Sequence, residues 1–170
     1  MISIHAPWTE VEPLVDQALK ELRSDVLLFQ LHANERSITH RLALYLEQPF
    51  LGWNVDCEYS RIGEDPSVYK KLVLPEDDRL THFDADGSRV YPDIVIHNRG
   101  HSTPNDNLLV IEVKTTWSQV SDQQDFRKLS AFIGVYPVDQ LLQYRFGLFL
   151  RFGEDAAVIS RRLFENEARK

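Results

Sequence analysis

The chain has 170 residues, 43% apolar and 26% charged, which suits a single folded domain over 1–170 with a full hydrophobic core. Its 19 Lys and Arg against 26 Asp and Glu give a net charge of −7, which excludes coating of duplex DNA by bulk electrostatics and makes any nucleic-acid contact local. No run approaches the roughly 18 apolar residues of a membrane span, Met1-Ile2-Ser3-Ile4-His5 lacks the basic and apolar regions of a secretion signal, and the lone Cys57 excludes an internal disulfide or a thiolate zinc cluster, so a cytoplasmic protein with no membrane partner is expected.

Thr9 with Glu12 is a capping-box pattern and Pro13 falls in the first turn, which predicts a helix over 9–23. Asn34 is a good N-cap for a second helix, in which Glu35, Ile38, Leu42 and Tyr45 recur at helical spacing up to a stop at Pro49. Glu35 then shares the face of the apolar stripe. It is either a first-turn acid that complements the helix dipole, worth under about 1 kcal/mol, or a third acidic group leaning over a metal site.

Residues 53–59 alternate: Trp53, Val55, Cys57 and Tyr59 on one face, Asn54, Asp56 and Glu58 on the other. This predicts a strand with a buried Cys57 thiol. Glu58 is an accessory candidate for an adjoining site, or the partner of Arg61 or Lys71 in a structural ion pair. The polar stretch 75–89 reads as a hairpin connection with a turn at Asp84-Ala85-Asp86-Gly87, and it lacks the further acids and closing glutamate of a calcium loop.

Two apolar strands follow, over 90–97 and 108–115, and the Gly, Pro and Asn residues between them suit an antiparallel reversal. Alternation puts Glu112 and Lys114 on one face, with Leu109, Ile111 and Val113 on the other. Asp93 follows Pro92 at the mouth of the preceding strand. If the strands pair, its carboxylate joins that of Glu112, and two carboxylates about 4 Å apart repel by roughly 4 kcal/mol at an effective dielectric near 20. A cation between them is therefore expected. The bland alternative is a turn aspartate beside a solvated Glu–Lys pair worth little. The spacing alone arises by chance in roughly one chain in fifteen; its weight comes from both halves lying on apolar strands. His97, four residues beyond Asp93, can reach the cleft edge or be a satisfied half-buried histidine, and it makes no zinc pair with His101 across a loop.

Ser121 and Gln124 open a further helix through Ile133, with Phe126, Leu129 and Ile133 inward and Asp125, Arg127 and Lys128 on its outer surface. Residues 143–152 place Tyr144, Phe146, Leu148, Leu150 and Phe152 on one face of a late strand packed on that helix, and 156–159 can add an edge strand. Candidate phosphate contacts are Lys70, Lys71, Arg89, Arg99, Arg127 and Lys128.

The order of elements over 34–150, with Asn34-Glu35, Asp56-Cys57-Glu58-Tyr59, Pro92-Asp93-Ile94-Val95-Ile96-His97 and Ile111-Glu112-Val113-Lys114, resembles a bacterial branch of the PD-(D/E)xK phosphodiesterase superfamily. The resemblance implies an α/β (α+β) restriction-endonuclease-like core, a mixed central sheet flanked by helices. It implies Asp93, Glu112 and Glu35 as metal ligands, Lys114 as the catalytic lysine, and Mg2+ or Mn2+ as cofactor. The expected function is a metal-dependent nuclease acting on DNA rather than RNA, with a homodimer as one route to a longer groove. The alternative is a catalytically inactive module of the same fold that binds a protein partner, as in phage defence.

Overall fold

The computed structural model describes residues 2–69, 71–72, 88–89, 91–101, 103–134 and 143–165. Among the described residues, four α-helices and seven strands follow one another. They are α1 (Trp8–Leu22), α2 (Val26–Gln30), α3 (Glu35–Glu47), β1 (Asn54–Cys57), β2 (Lys71–Leu72), β3 (Ser88–Arg89), β4 (Ile94–His97), β5 (Asn107–Thr115), α4 (Asp122–Phe132), β6 (Phe146–Phe152) and β7 (Val158–Glu165). Strands β1-β4-β5-β6-β7 form one mixed sheet in that order, and β2 pairs with β3 in a small antiparallel ribbon. The fold is thus α+β, with helices packed on both faces of the sheet. Among the described residues no helix is long and apolar enough to cross a membrane.

Local sequence explains most of the boundaries. The Asn34 side chain accepts the Ser37 N–H at 2.9 Å, which fixes the start of α3. In α1 the expected capping box does not form: the helix begins one residue earlier behind Pro7, and no side chain caps it. Pro13 consequently lies inside the helix rather than in its first turn, and Glu12 turns outward to Arg161, 3.4 Å away. In α4 the Ser121 hydroxyl accepts from Gln123 N–H.

One face of the sheet is covered by α1 and α3, whose Val11, Val15, Leu22, Ile38, Leu42 and Leu46 pack on Ile94, Ile96, Ile111, Val113, Leu148 and Leu150. The other face carries α4, with Leu129, Phe132 and Ile133 against Val95, Val110 and Phe149. The expected antiparallel pairing of the two apolar strands is present, with Ile94 opposite Ile111. Strand β6 instead runs parallel to β5, which requires a crossover, and α4 provides it.

Three expectations need correction here. The even residues Phe146, Leu148, Leu150 and Phe152 face α1 and α3, not α4; α4 sits over Gly147, where an added Cβ would meet Ile133 and Phe164 side-chain atoms at 3.3 Å and push them back by a few tenths of an ångström. Tyr59 leaves the face of Val55 and Cys57, because Glu58 has φ +50° and turns the backbone, breaking the alternation. Asp125 and Lys128 do not line an outer surface; they point down onto the sheet. The edge strand is also longer than 156–159, ending at Glu165. Residues 75–87, with the turn at 84–87, and Lys70 lie outside the described residues, whereas Lys71 and Arg89 pair in register as a hairpin requires.

Candidate active site

Strand β5 is paired on both sides, and every one of its residues is buried. Two of them are charged, Glu112 and Lys114, 1% and 5% exposed. They share the α4 face with Val110, as strand alternation requires. Burial of an ion costs several kcal/mol unless it is paired, so the partners decide what the arrangement can do.

Lys114 Nζ lies 2.8 Å from Asp125 Oδ2 on α4 and 4.0 Å from Glu35 Oε2 at the start of α3. Glu112 Oε2 accepts from Lys128 Nζ at 2.6 Å, and the same ammonium is 3.4 Å from Asp125 Oδ1. Asp93 stands just before β4, where one further step of the antiparallel register places it opposite Glu112. Beyond the last pair of that register, the Val113 N–H has lost its strand partner, and Asp93 Oδ2 accepts it at 2.7 Å. Glu35 Oε1 does the same for the Thr115 N–H at 3.0 Å. The turn after β5 is tied to the entry of α3 by Trp117 Nε1–H donating to Ala33 O and by His32 stacking on Trp117. The end of β5 therefore collects Glu35, Asp93, Glu112, Lys114, Asp125 and Lys128 from four separate elements.

Charge decides the state of this cluster. Four carboxyl groups against two ammonium groups leave a formal charge of −2 if all are ionised. Burial pushes the Glu112 carboxyl up to about 8, with Asp93 adding to the effect and Lys128 opposing it. Burial likewise raises Asp93 to about 6, against the opposing pull of the Val113 N–H and Lys128. For Lys128, burial works to remove the proton, but Glu112 and Asp125 outweigh it and hold the ammonium charged. Glu112 Oε1 is buried and has no hydrogen-bond partner among the described residues.

This donor set fits a hard divalent cation: carboxylate oxygens, one of them an orphan, and a deficit of two positive charges. Asp93 and Glu112 are the residues that would hold it. Glu35 is the nearby third acid, already engaged with Thr115. Among the described residues no group of three or more His, Cys, Asp or Glu side chains is placed to hold a metal ion, so the carboxylates in question are two, Asp93 and Glu112. Beside Asp93 an open pocket of about 190 Å3, lined by Arg36, Thr39, His40, Cys57 and Glu58, gives access from solvent.

Of the remaining candidates, Glu58 lines the pocket beside Asp93 and pairs with Arg36 at 2.7 Å rather than with Arg61. His97 is buried, with Nε2 2.9 Å from Asp56 Oδ2 and its ring against Tyr59, in a separate cluster completed by Arg99 on Asp56. There His97 and Arg99 hold the Asp56 carboxyl at about 2, overriding the effect of burial. Arg99 is thereby committed to a structural pair, away from a phosphate-binding role. Cys57 is only half-buried, but burial still pushes its thiol to about 11.

Sequence reasoning missed Asp125 as a member of the site and put Lys128 on the outer surface of the helix as a candidate phosphate contact. The signal was present: Asp125, Leu129 and Phe132 recur at i, i+4 and i+7, so the aspartate lies on the inward stripe. Arg151, opposite Lys114 in the β5–β6 register and 2.6 Å from Asp122, was also missed. Compared with known proteins, the chain matches no family model, no curated protein and no solved structure.

Proposed function

We propose that this protein is a Mg2+- or Mn2+-dependent nuclease of the PD-(D/E)xK, restriction-endonuclease-like kind, hydrolysing phosphodiester bonds of DNA. The observation that carries the reading is the buried Glu112 Oε1, without a hydrogen-bond partner among the described residues, in a cluster two positive charges short of neutral when all four carboxyls are ionised. In support stand the mixed sheet with helices on both faces and the convergence of Asp93, Glu112 and Lys114 at the end of its central strand.

A bound divalent cation would supply charge neutralisation at the phosphoryl oxygens and an activated water. The chain's own residues divide the rest. Asp93 and Glu112 provide the ligand oxygens, and the Val113 N–H orients the first of them. Lys114 Nζ lies between Asp125 and Glu35, placed to donate to a phosphoryl oxygen. Asp125 is a positioning residue, since it aims both lysines.

A second reading has its own support: both lysines are already paired with carboxylates, as in a fold that keeps its charged core for packing while binding a protein. Incubating the purified chain with Mg2+ or Mn2+ and single-stranded, duplex and branched DNA, and RNA, separates the two. Cleavage of at least one DNA form, stopped by chelator, is expected. Failure to cut any of the four would overturn the nuclease reading in favour of the binding module.

A further inference from the structure

We propose that Lys128 is the resident cation of the acidic centre: its ammonium takes the place of a divalent ion and is driven out towards solvent when one binds. The inference rests on the metal-centre reading above. Lys128 comes from α4, one turn beyond Asp125, and its Nζ is the group that neutralises Glu112, 2.6 Å from Oε2, while also lying 3.4 Å from Asp125 Oδ1. A divalent ion on the Glu112 carboxylate would share that carboxylate with a like charge in a poorly hydrated place, where repulsion is strong. An ion that takes both Glu112 oxygens needs the place on Oε2 that Lys128 now holds, so a lysine has to give way.

The structure says which lysine can. Lys114 is enclosed, its side chain 6% exposed and fastened to Asp125 at 2.8 Å. Lys128 is the more exposed of the two, its side chain 20% exposed on a flexible four-carbon stem, so a change of rotamer carries the charge outward without moving the helix. Ammonium pairing also leaves Glu112 half satisfied, since Oε1 keeps no partner. A cation with several oxygen ligands can use both carboxylate oxygens, which a single ammonium here does not. Once displaced, Lys128 is a free positive charge at the rim, placed for a phosphate of the substrate backbone. One side chain thus stabilises the empty centre and serves the loaded one.

The test uses the full-length wild-type protein, an amine-acetylating reagent and Mg2+ alone, with modification of each lysine quantified by peptide mass spectrometry and Mg2+ binding measured by calorimetry on the same stock. Lys128 acetylation is expected to rise severalfold as Mg2+ saturates, with the calorimetric midpoint, while Lys114 stays protected; Asp93→Asn should show neither binding nor the rise. Mg2+ binding with unchanged Lys128 labelling would overturn the inference and leave the metal centre standing. Absence of Mg2+ binding to wild type would overturn the metal-centre reading, and this inference with it.

Discussion

Asp93→Asn is expected to fold as well as the wild type while losing at least about 10³-fold of its cation-dependent DNA cleavage, which corresponds to about 4 kcal/mol of transition-state stabilisation. The substitution keeps an oxygen able to accept the Val113 N–H, so the junction between β4 and β5 retains its bond. It removes the charge that a hard cation requires. Burial already disfavours that charge in the empty protein, raising Asp93 to about 6, so deleting it does not cost stability. Kinetics of cleavage and thermal unfolding, measured on the same preparation, check both halves. A variant that cuts within tenfold of wild type would remove Asp93 from the site.

The second large effect concerns Lys128→Met. Taking one partner from a buried ion pair leaves the other uncompensated, at a cost of about 3–5 kcal/mol, and here the stranded group is Glu112, since Asp125 keeps Lys114. The loss depends on pH with a definite sign. Glu112 and Asp93 bind protons more tightly in the fold, at about 8 and about 6, than in the unfolded chain. The folded state therefore holds the extra protons between the ordinary carboxylate range and those values, and metal-free stability falls as pH rises through that window. Lys128→Met deepens the fall because it removes the cation opposing it. Urea unfolding should show the full loss above pH 8 and a much smaller one at about pH 5, where Glu112 and Asp93 are protonated. Adding Glu112→Gln to Lys128→Met should recover most of the stability. A single variant that loses under about 1 kcal/mol above pH 8 would mean that the pair is screened by solvent.

How far the sequence reached is clearest at β5. Alternation there gave the shared face of Glu112 and Lys114, because a strand paired on both sides has no freedom to slip: one step of register would bury the wrong set. The antiparallel partner and the place of Asp93 followed from the same regularity. Where chain geometry departs from a period, the reading failed. The positive φ of Glu58 sends Tyr59 to the opposite face, and no residue type at that position announces it. Gly147 lets α4 close over the odd residues of β6, which reversed the assignment of its faces. For α4 the obstacle was energetic. A charged residue on an inward stripe is buried only if a counter-charge waits beneath it, and Lys114, eleven positions earlier, is that counter-charge for Asp125. Helical spacing shows the phase of α4 but not what its face meets. Asp93, Glu112 and Lys114 were legible as candidates, whereas Asp125 and the inward place of Lys128 had to be read from distances.

The most direct measurement is calorimetric titration of Mn2+ into wild type and Asp93→Asn. The account predicts saturable binding to the wild type that the variant lacks. No binding to either folded protein would contradict it and make the cluster at the end of β5 a network of structural ion pairs.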